Sequence, residues 1–190
     1  MMYLKYTSNF ISIINALHHK KIIAYPTESV FGLGCDPNSE FAVNNLLILK
    51  KRSWKKGFIL VAANYQQLIP YINDNALNNK QRNTILSSWP GPITWVIPTN
   101  SKTPKFLTGH FNSIAVRVSA HPLIQTLCTK YGKPIISTSA NFKKQIPCRN
   151  IQEVKQKFGD TIPILIGKIG NNLHPSEIRD AISNQKIRIG

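Results

Sequence analysis

Apolar residues recur along this chain with two different periods, and the two take turns from one end to the other. Residues 8–19 place Ile11, Ile14 and Leu17 on one helical face, with Ser8 as the cap. Lys21 to Tyr25 is a short β-branched run stopped by Pro26; residues 27–38 read as a loop, and Ser39-Glu40 opens a second helix through Leu49. Phe58 to Ala62 reads as a strand, Asn64 as the cap of a short helix, and residues 79–88 as a helix ended by Trp89-Pro90-Gly91-Pro92. Ile93–Ile97, Ile114–Val118 and Pro134–Ser137 are strand candidates, with a helix after His121-Pro122 between the last two. Asn150 and Glu153 form a capping-box pattern, Ile162–Ile166 reads as a strand, and Glu177–Ile182 with Lys186–Ile189 as a hairpin over Ser183-Asn184-Gln185.

Some of these strands are separated by helices and others by short turns, a pattern that calls for a mixed sheet. The expected fold is therefore α/β: a single-domain twisted mixed sheet flanked by helices, spanning residues 1–190 without a linker, repeat or low-complexity break. No apolar run approaches the roughly 20 residues that a membrane span needs. The N-terminal stretch lacks the apolar core and small-residue cleavage site of a signal peptide. A cytoplasmic protein without membrane partners is expected. Cys35, Cys128 and Cys148 are odd in number and widely spaced, which fits neither a disulfide framework nor a zinc site. Five histidines show no metal spacing, and no Ser-His-Asp or Cys-His order is legible.

Charge supplies the functional direction. The formal net charge is +16, and between Asp74 and Glu153 no acidic residue interrupts ten Lys or Arg. Such a field concentrates polyanions, nucleotides or RNA, in a salt-sensitive way. The 18 lysines against 6 arginines, with 26 isoleucines and 18 asparagines, also have the look of A+T-rich codon drift. Charge alone therefore does not choose a ligand.

Three segments carry chemistry. In Lys50-Lys51-Arg52-Ser53-Trp54-Lys55-Lys56, a helix ending near Leu49 would leave Lys50 and Arg52 in extended chain, projecting the same way as a point charge beside a planar fork. Taken in isolation, the same run reads more readily as a solvated, lysine-rich helix end. If they are partly exposed site cations, they contribute little to stability. In Ile135-Ile136-Ser137-Thr138-Ser139-Ala140-Asn141 an apolar strand turns polar at its carboxyl end, where α/β sheets bind ligands. Ser139 and Asn141, two apart, offer a hydroxyl and an amide, or else bond their own backbone in a turn. In Pro26-Thr27-Glu28-Ser29-Val30-Phe31-Gly32-Leu33-Gly34 the glycines permit close approach to a ligand, and Thr27 and Ser29 are the polar candidates. Arg117, flanked by Val116 and Val118, points to the opposite face of its strand, toward an anionic partner or toward solvent at an edge.

Together these segments resemble the YrdC-like family, in its short bacterial form. The resemblance rests on Pro26 to Asp36, Lys50-x-Arg52, Trp89-Pro90-Gly91-Pro92-Ile93-Thr94, Ala115 to Val118, Ser137-Thr138-Ser139-Ala140-Asn141 and Pro175 to Asp180. It implies a basic cavity in the sheet and synthesis of threonylcarbamoyl-adenylate from L-threonine, bicarbonate and ATP, with release of diphosphate. The product would pass to a separate transferase complex that modifies an adenosine beside the tRNA anticodon. The resemblance puts Lys50 and Arg52 at the catalytic step, Thr138, Ser139 and Asn141 on the nucleotide, and Thr27 on threonine. Lys56, Arg117, Ser176 and Arg188 become cavity residues on the nucleotide side. Mg²⁺ would arrive with ATP, with no protein-bound metal. Ser29, Phe31 and Ser53 depart from the family's frequent Thr, Tyr and Pro, so no tyrosine hydroxyl is offered at position 31. Two other classes compete: a non-catalytic RNA-binding or ribosome-associated module, with weak direct RNA binding, and an accessory domain for carbamoyl transfer.

Overall fold

The structure is a computed structural model that describes the backbone of residues 2–189 and the side chains of residues 8–189. Its helices are α1 (Met2–His18), α2 (Glu40–Lys50), α3 (Asn79–Ser87), α4 (Lys105–Thr108), α5 (Pro122–Tyr131) and α6 (Ile151–Phe158). Its strands are β1 (Ile23–Pro26), β2 (Phe31–Gly34), β3 (Ile59–Ala62), β4 (Ile93–Pro98), β5 (Ser113–Val118), β6 (Ile135–Ser139), β7 (Glu177–Asp180) and β8 (Lys186–Arg188). They form one open sheet in the order β1-β2-β6-β3-β5-β4-β7-β8. The pairs β3/β5 and β4/β7 are parallel and the other neighbours antiparallel, so the sheet is mixed as the alternation of connections requires.

Local expectations fail where a tertiary or covalent constraint outweighs the pattern. Helix α1 begins ahead of Ser8, which lies inside it and is not its cap. Residues 31–34 are a strand, not part of a loop: Phe31 and Leu33 alternate with Gly32 and Gly34, and β1 and β2 form a hairpin over Thr27–Val30. The Asn64 side chain does accept from Gln67 N at 3.1 Å, yet turns and a 3₁₀ segment, Ile69–Tyr71, follow in place of an α-helix. Pro70 has no N–H for a longer helix. Residues 162–166 make a single bridge, between Ile164 and Ala24, clamped by Ala24 N to Pro163 O (2.9 Å) and Leu165 N to Ala24 O (2.8 Å). Pro163 cannot donate, so the ladder does not extend through it. Strand β7 stops at Asp180 because its carboxylate accepts from Ile182 N and Ser183 N.

Period-two alternation then decides what each face of the sheet meets. Leu60 and Ala62 of β3, with Ile114, Val116 and Val118 of β5, pack into one apolar cluster with Ala42, Val43 and Leu46 of α2, Ile85 of α3 and Val154 of α6. On the reverse face Val61 and Ile135 pack against Ile13 and Leu17 of α1 and Ile124 and Leu127 of α5. Each of the Val, Leu and Ile side chains among them, fully buried, is worth about 1.5–3 kcal/mol. These two helices cover only part of that face. Ser113, Ala115 and Arg117, which alternate with the β5 core residues, instead line a cavity.

Candidate active site

The cavity has a volume of about 630 Å³, within the usual range for a small-molecule site. Its floor is the uncovered part of the sheet: Gly32, Ile59, Val96, Ala115, Ser137, Ser139 and Ile178 come from six adjacent strands. Its walls are irregular segments that bring in Arg52 and Lys56, Phe111, Pro147, and His174 to Ser176. The floor is close-fitting at its β1–β2 end. A Cβ on Gly34 would lie 2.1 Å from the Ile136 carbonyl oxygen, and one on Gly32 3.0 Å from the Tyr25 ring. The glycines thus make room for Tyr25, whose hydroxyl donates to Ile136 O at 3.1 Å, rather than for a ligand alone.

Of the residues singled out from sequence, Thr27, Arg52, Lys56, Arg117, Thr138, Ser139, Ser176 and Arg188 all line this cavity. Lys50 and Asn141 do not; they sit behind its rim. Helix α2 includes Lys50, one residue beyond the expected end at Leu49, and Lys51 then adopts a left-handed conformation (φ 48°), with Arg52 N donating back to Leu47 O. It is this reversal, not extended chain, that brings Lys50 and Arg52 near one another. Lys50 is buried, only 6% exposed, and its ammonium donates to Ser139 O (2.5 Å), Asn141 O (2.7 Å) and Asn141 Oδ1 (3.2 Å). It is therefore no partly exposed cation: it spans from a helix on one face of the sheet to the end of β6. Burial first, and then the charge of Arg52, push its pKa down to about 8. The Ser139 hydroxyl donates to Asn141 Oδ1 (2.7 Å), and Asn141 Nδ2 to Gln145 O (2.6 Å), closing the knot.

Arg52 donates from NH2 to Gly57 O (2.7 Å) and lies over the Phe58 ring, 5.3 Å from its centroid, while its buried Nε has no hydrogen-bond partner. Burial pushes its pKa down. Thr27 uses its hydroxyl locally, donating to Val30 O at 2.7 Å. Arg188 reaches back to Ser176 O (2.6 Å from NH2), and Ser176 and Thr94 hydroxyls are 2.8 Å apart. Burial, then the charge of Arg117, lower the Arg188 pKa.

Arg117 meets an anionic partner, and it is one that sequence reasoning missed. Glu28 Oε2 lies 3.1 Å from Arg117 NH1, both side chains being largely buried. The contact is electrostatic rather than an aligned hydrogen bond, since Glu28 Oε2 and Arg117 Nε have no hydrogen-bond partner. Glu28 Oε1 accepts from the Ser119 hydroxyl (2.6 Å) and from Ala120 N (3.2 Å). Burial alone would raise the Glu28 pKa, but the Arg117 guanidinium and the Ser119 hydroxyl outweigh it and hold the carboxyl below its ordinary value. His174, given no role from spacing, also lines the cavity, and His121, likewise passed over, bonds Lys168 O through Nε2 at 3.1 Å. No local pattern marks these residues; they are assembled only by the fold. Among the described residues no cluster of His, Cys, Asp or Glu could hold a metal ion, and no helix is long and apolar enough to cross a membrane. The three cysteines are free and buried.

A sheet that keeps part of one face free of helices, and lines it with guanidinium, ammonium and strand-end hydroxyl groups, defines an α/β protein built to hold a small anionic ligand. Comparison with known proteins narrows that class. A family model for Sua5, YciO and YrdC proteins, described as telomere recombination, matches residues 15–190. The threonylcarbamoyl-AMP synthase of Serratia proteamaculans (strain 568) is 60% identical over 184 residues, 97% of each chain. That of Yersinia enterocolitica serotype O:8 / biotype 1B is 60% identical over 178 residues, 94% of each. A Sua5 from P. abyssi, solved in complex with L-threonine, superposes with a TM-score of 0.83 at 27% identity, over 92% of this chain and 51% of that one. The chain thus spans about half of that Sua5. It belongs to the Sua5/YciO/YrdC family.

Proposed function

We propose that residues 1–190 act as one catalytic unit, a cytoplasmic threonylcarbamoyl-AMP synthase that joins L-threonine, bicarbonate and ATP and releases diphosphate. The observation that carries this reading is the convergence of Arg52, Lys56, Arg117 and Arg188 with Thr138 and Ser139 on one cavity. The naming of relatives 60% identical over almost the full chain supports it.

The amine of threonine condenses with bicarbonate, its nitrogen bonding to the carbon as a C–O bond breaks and water leaves, to give a carbamate, one of whose oxygens attacks the α-phosphorus of ATP. The bond from that phosphorus to the bridging oxygen breaks, and diphosphate leaves. The difficulty is electrostatic. Two unit anions 4 Å apart repel by about 1 kcal/mol in water and about 4 kcal/mol at the effective dielectric of a partly enclosed site. Cations fixed by the fold offset this without reorganising as charge moves. Arg52, with Lys56 beside it, is placed for that work, and Arg117 and Arg188 for the phosphates. Ser139 and Thr138, at the carboxyl end of β6, face the nucleotide. Lys50 acts at one remove, fixing Ser139 and Asn141 from behind. Thr27, its hydroxyl already engaged with Val30, shapes the threonine pocket more than it bonds there. Mg²⁺ would be carried mainly by the phosphate oxygens of ATP and by water, and would offset phosphate charge there. The product then passes to a separate transferase complex.

The test is diphosphate release by purified protein given ATP, L-threonine and bicarbonate. Release that requires all three supports the synthase. No release, together with salt-sensitive RNA binding, would favour a non-catalytic RNA module.

A further inference from the structure

An acid inside a cavity for polyanions calls for a reason, because by charge alone it weakens the binding the cavity exists for. Glu28 stands among the basic groups of the walls and floor. It is held from three sides, by Ser119 Oγ, by Ala120 N and by the charge of Arg117. Ser119 in turn accepts from His121 N at 3.1 Å, tying the carboxylate to the start of α5. Arg188 lines the same cavity as Arg117, and its pKa is lowered by burial and then by the charge of Arg117.

We propose that Glu28 is a positioning residue for Arg117. Its carboxylate holds one edge of the guanidinium at NH1, offsets the repulsion from Arg188, and leaves the part of the group that lines the cavity for the phosphates of a nucleotide. A guanidinium carries five N–H donors in a rigid fork, so fixing one edge fixes the direction of the rest. A lone arginine on the strand would lose that direction and would be pushed away from Arg188. The inference rests on the nucleotide-site reading of this cavity. It is independent of which amino acid is adenylated.

The experiment is direct calorimetric binding of ATP and of a non-hydrolysable ATP analogue, without threonine, to wild type, Glu28→Gln, Arg117→Gln and the double variant. Removing a negative charge should by itself tighten nucleotide binding, whereas loss of positioning should weaken it. The proposal expects about tenfold to a hundredfold weaker binding for Glu28→Gln, by analogy with the range found when a hydrogen-bonding support of a metal ligand is removed. In the Arg117→Gln background the same change should cost nothing or tighten binding. Binding by Glu28→Gln that equals or exceeds wild type would overturn the proposal, as would an equal loss in both backgrounds. Should Glu28→Gln fail to fold, Ser119→Ala removes one support of the carboxylate and keeps its charge. It should weaken nucleotide binding severalfold, and wild-type affinity in that variant would count against the idea. If wild type binds nucleotide yet releases no diphosphate with threonine, the synthase reading fails while this one still stands to be judged.

Discussion

Lys50→Met is the most informative single change, because Lys50 joins a helix on one face of the sheet to the end of the strand that faces the cavity on the other. Methionine keeps the stem and deletes the ammonium. Of the three oxygens bonded to that ammonium, two keep another donor: Ser139 O still accepts from Asn141 N, and Asn141 Oδ1 still accepts from the Ser139 hydroxyl. Asn141 O has Lys50 as its described donor. One partly buried acceptor thus loses that donor, at about 1–3 kcal/mol, and the other two oxygens each lose a bond to a charged donor but keep a neutral one. Relief from holding a buried ammonium, whose pKa burial has pushed down to about 8, offsets some of this. The net expectation is a loss of about 2–3 kcal/mol, or roughly 4–12 °C in Tm for a chain of this size. Turnover measured well below the new Tm should also fall, by about a hundredfold, since a strand end displaced by about 1 Å is enough. Differential scanning calorimetry beside the diphosphate assay reads both. A Tm within 2 °C of wild type would refute the account of Lys50 as a structural tie. Unchanged turnover would refute its influence on the site.

Lys56→Ala, by contrast, removes an exposed cavity cation and should leave stability within about 0.5 kcal/mol of wild type while lowering turnover, which separates wall residues from ties in the same two assays. Gly34→Ala should cost about 3 kcal/mol or more, read from the urea midpoint or from loss of soluble protein, because the new methyl meets the Ile136 carbonyl at 2.1 Å. The Glu28 carboxyl has its pKa held below the ordinary value, so the folded state binds fewer protons than the unfolded one as pH falls through that range. The stability it contributes is present above about pH 4.5 and disappears as pH drops below the folded value. The Tm difference between wild type and Glu28→Gln should therefore shrink on acidification from pH 6 toward pH 3, and a difference that stays constant would count against the ion pair.

The alternation of periods was enough to read a mixed α/β sheet, since most strands and helices carry their own local signal. Strand β2 was missed for a local reason: Gly32 and Gly34 look like loop residues, although Phe31 and Leu33 keep the period of a strand with a bare second face. The bareness answers to Tyr25 on the neighbouring strand. Residues 162–166 were overread because Pro163 denies the ladder a donor. At the site, the spacing Lys50-x-Arg52 was legible but its geometry was not. A lysine-rich run looks like surface, and nothing near Lys50 in sequence tells of the carbonyls of Ser139 and Asn141 waiting at its end. Glu28 was invisible for the same reason, as its meaning comes from Arg117 on a strand at the other side of the floor.

The floor of the cavity is the back of the core. Ala115 lies between Ile114 and Val116, Ile59 beside Leu60 and Ser137 beside Ile136, so these floor positions are one residue from a side chain packed on the far face. Substitutions there cannot alter ligand contacts without disturbing the packing that folds the chain. Lys56, Phe111 and His174 of the walls are exposed and belong to neither apolar cluster, so they carry no such double duty. Substrate preference in this architecture is consequently free to drift, or to be redesigned, along the rim, while the floor is inherited as a fixed platform.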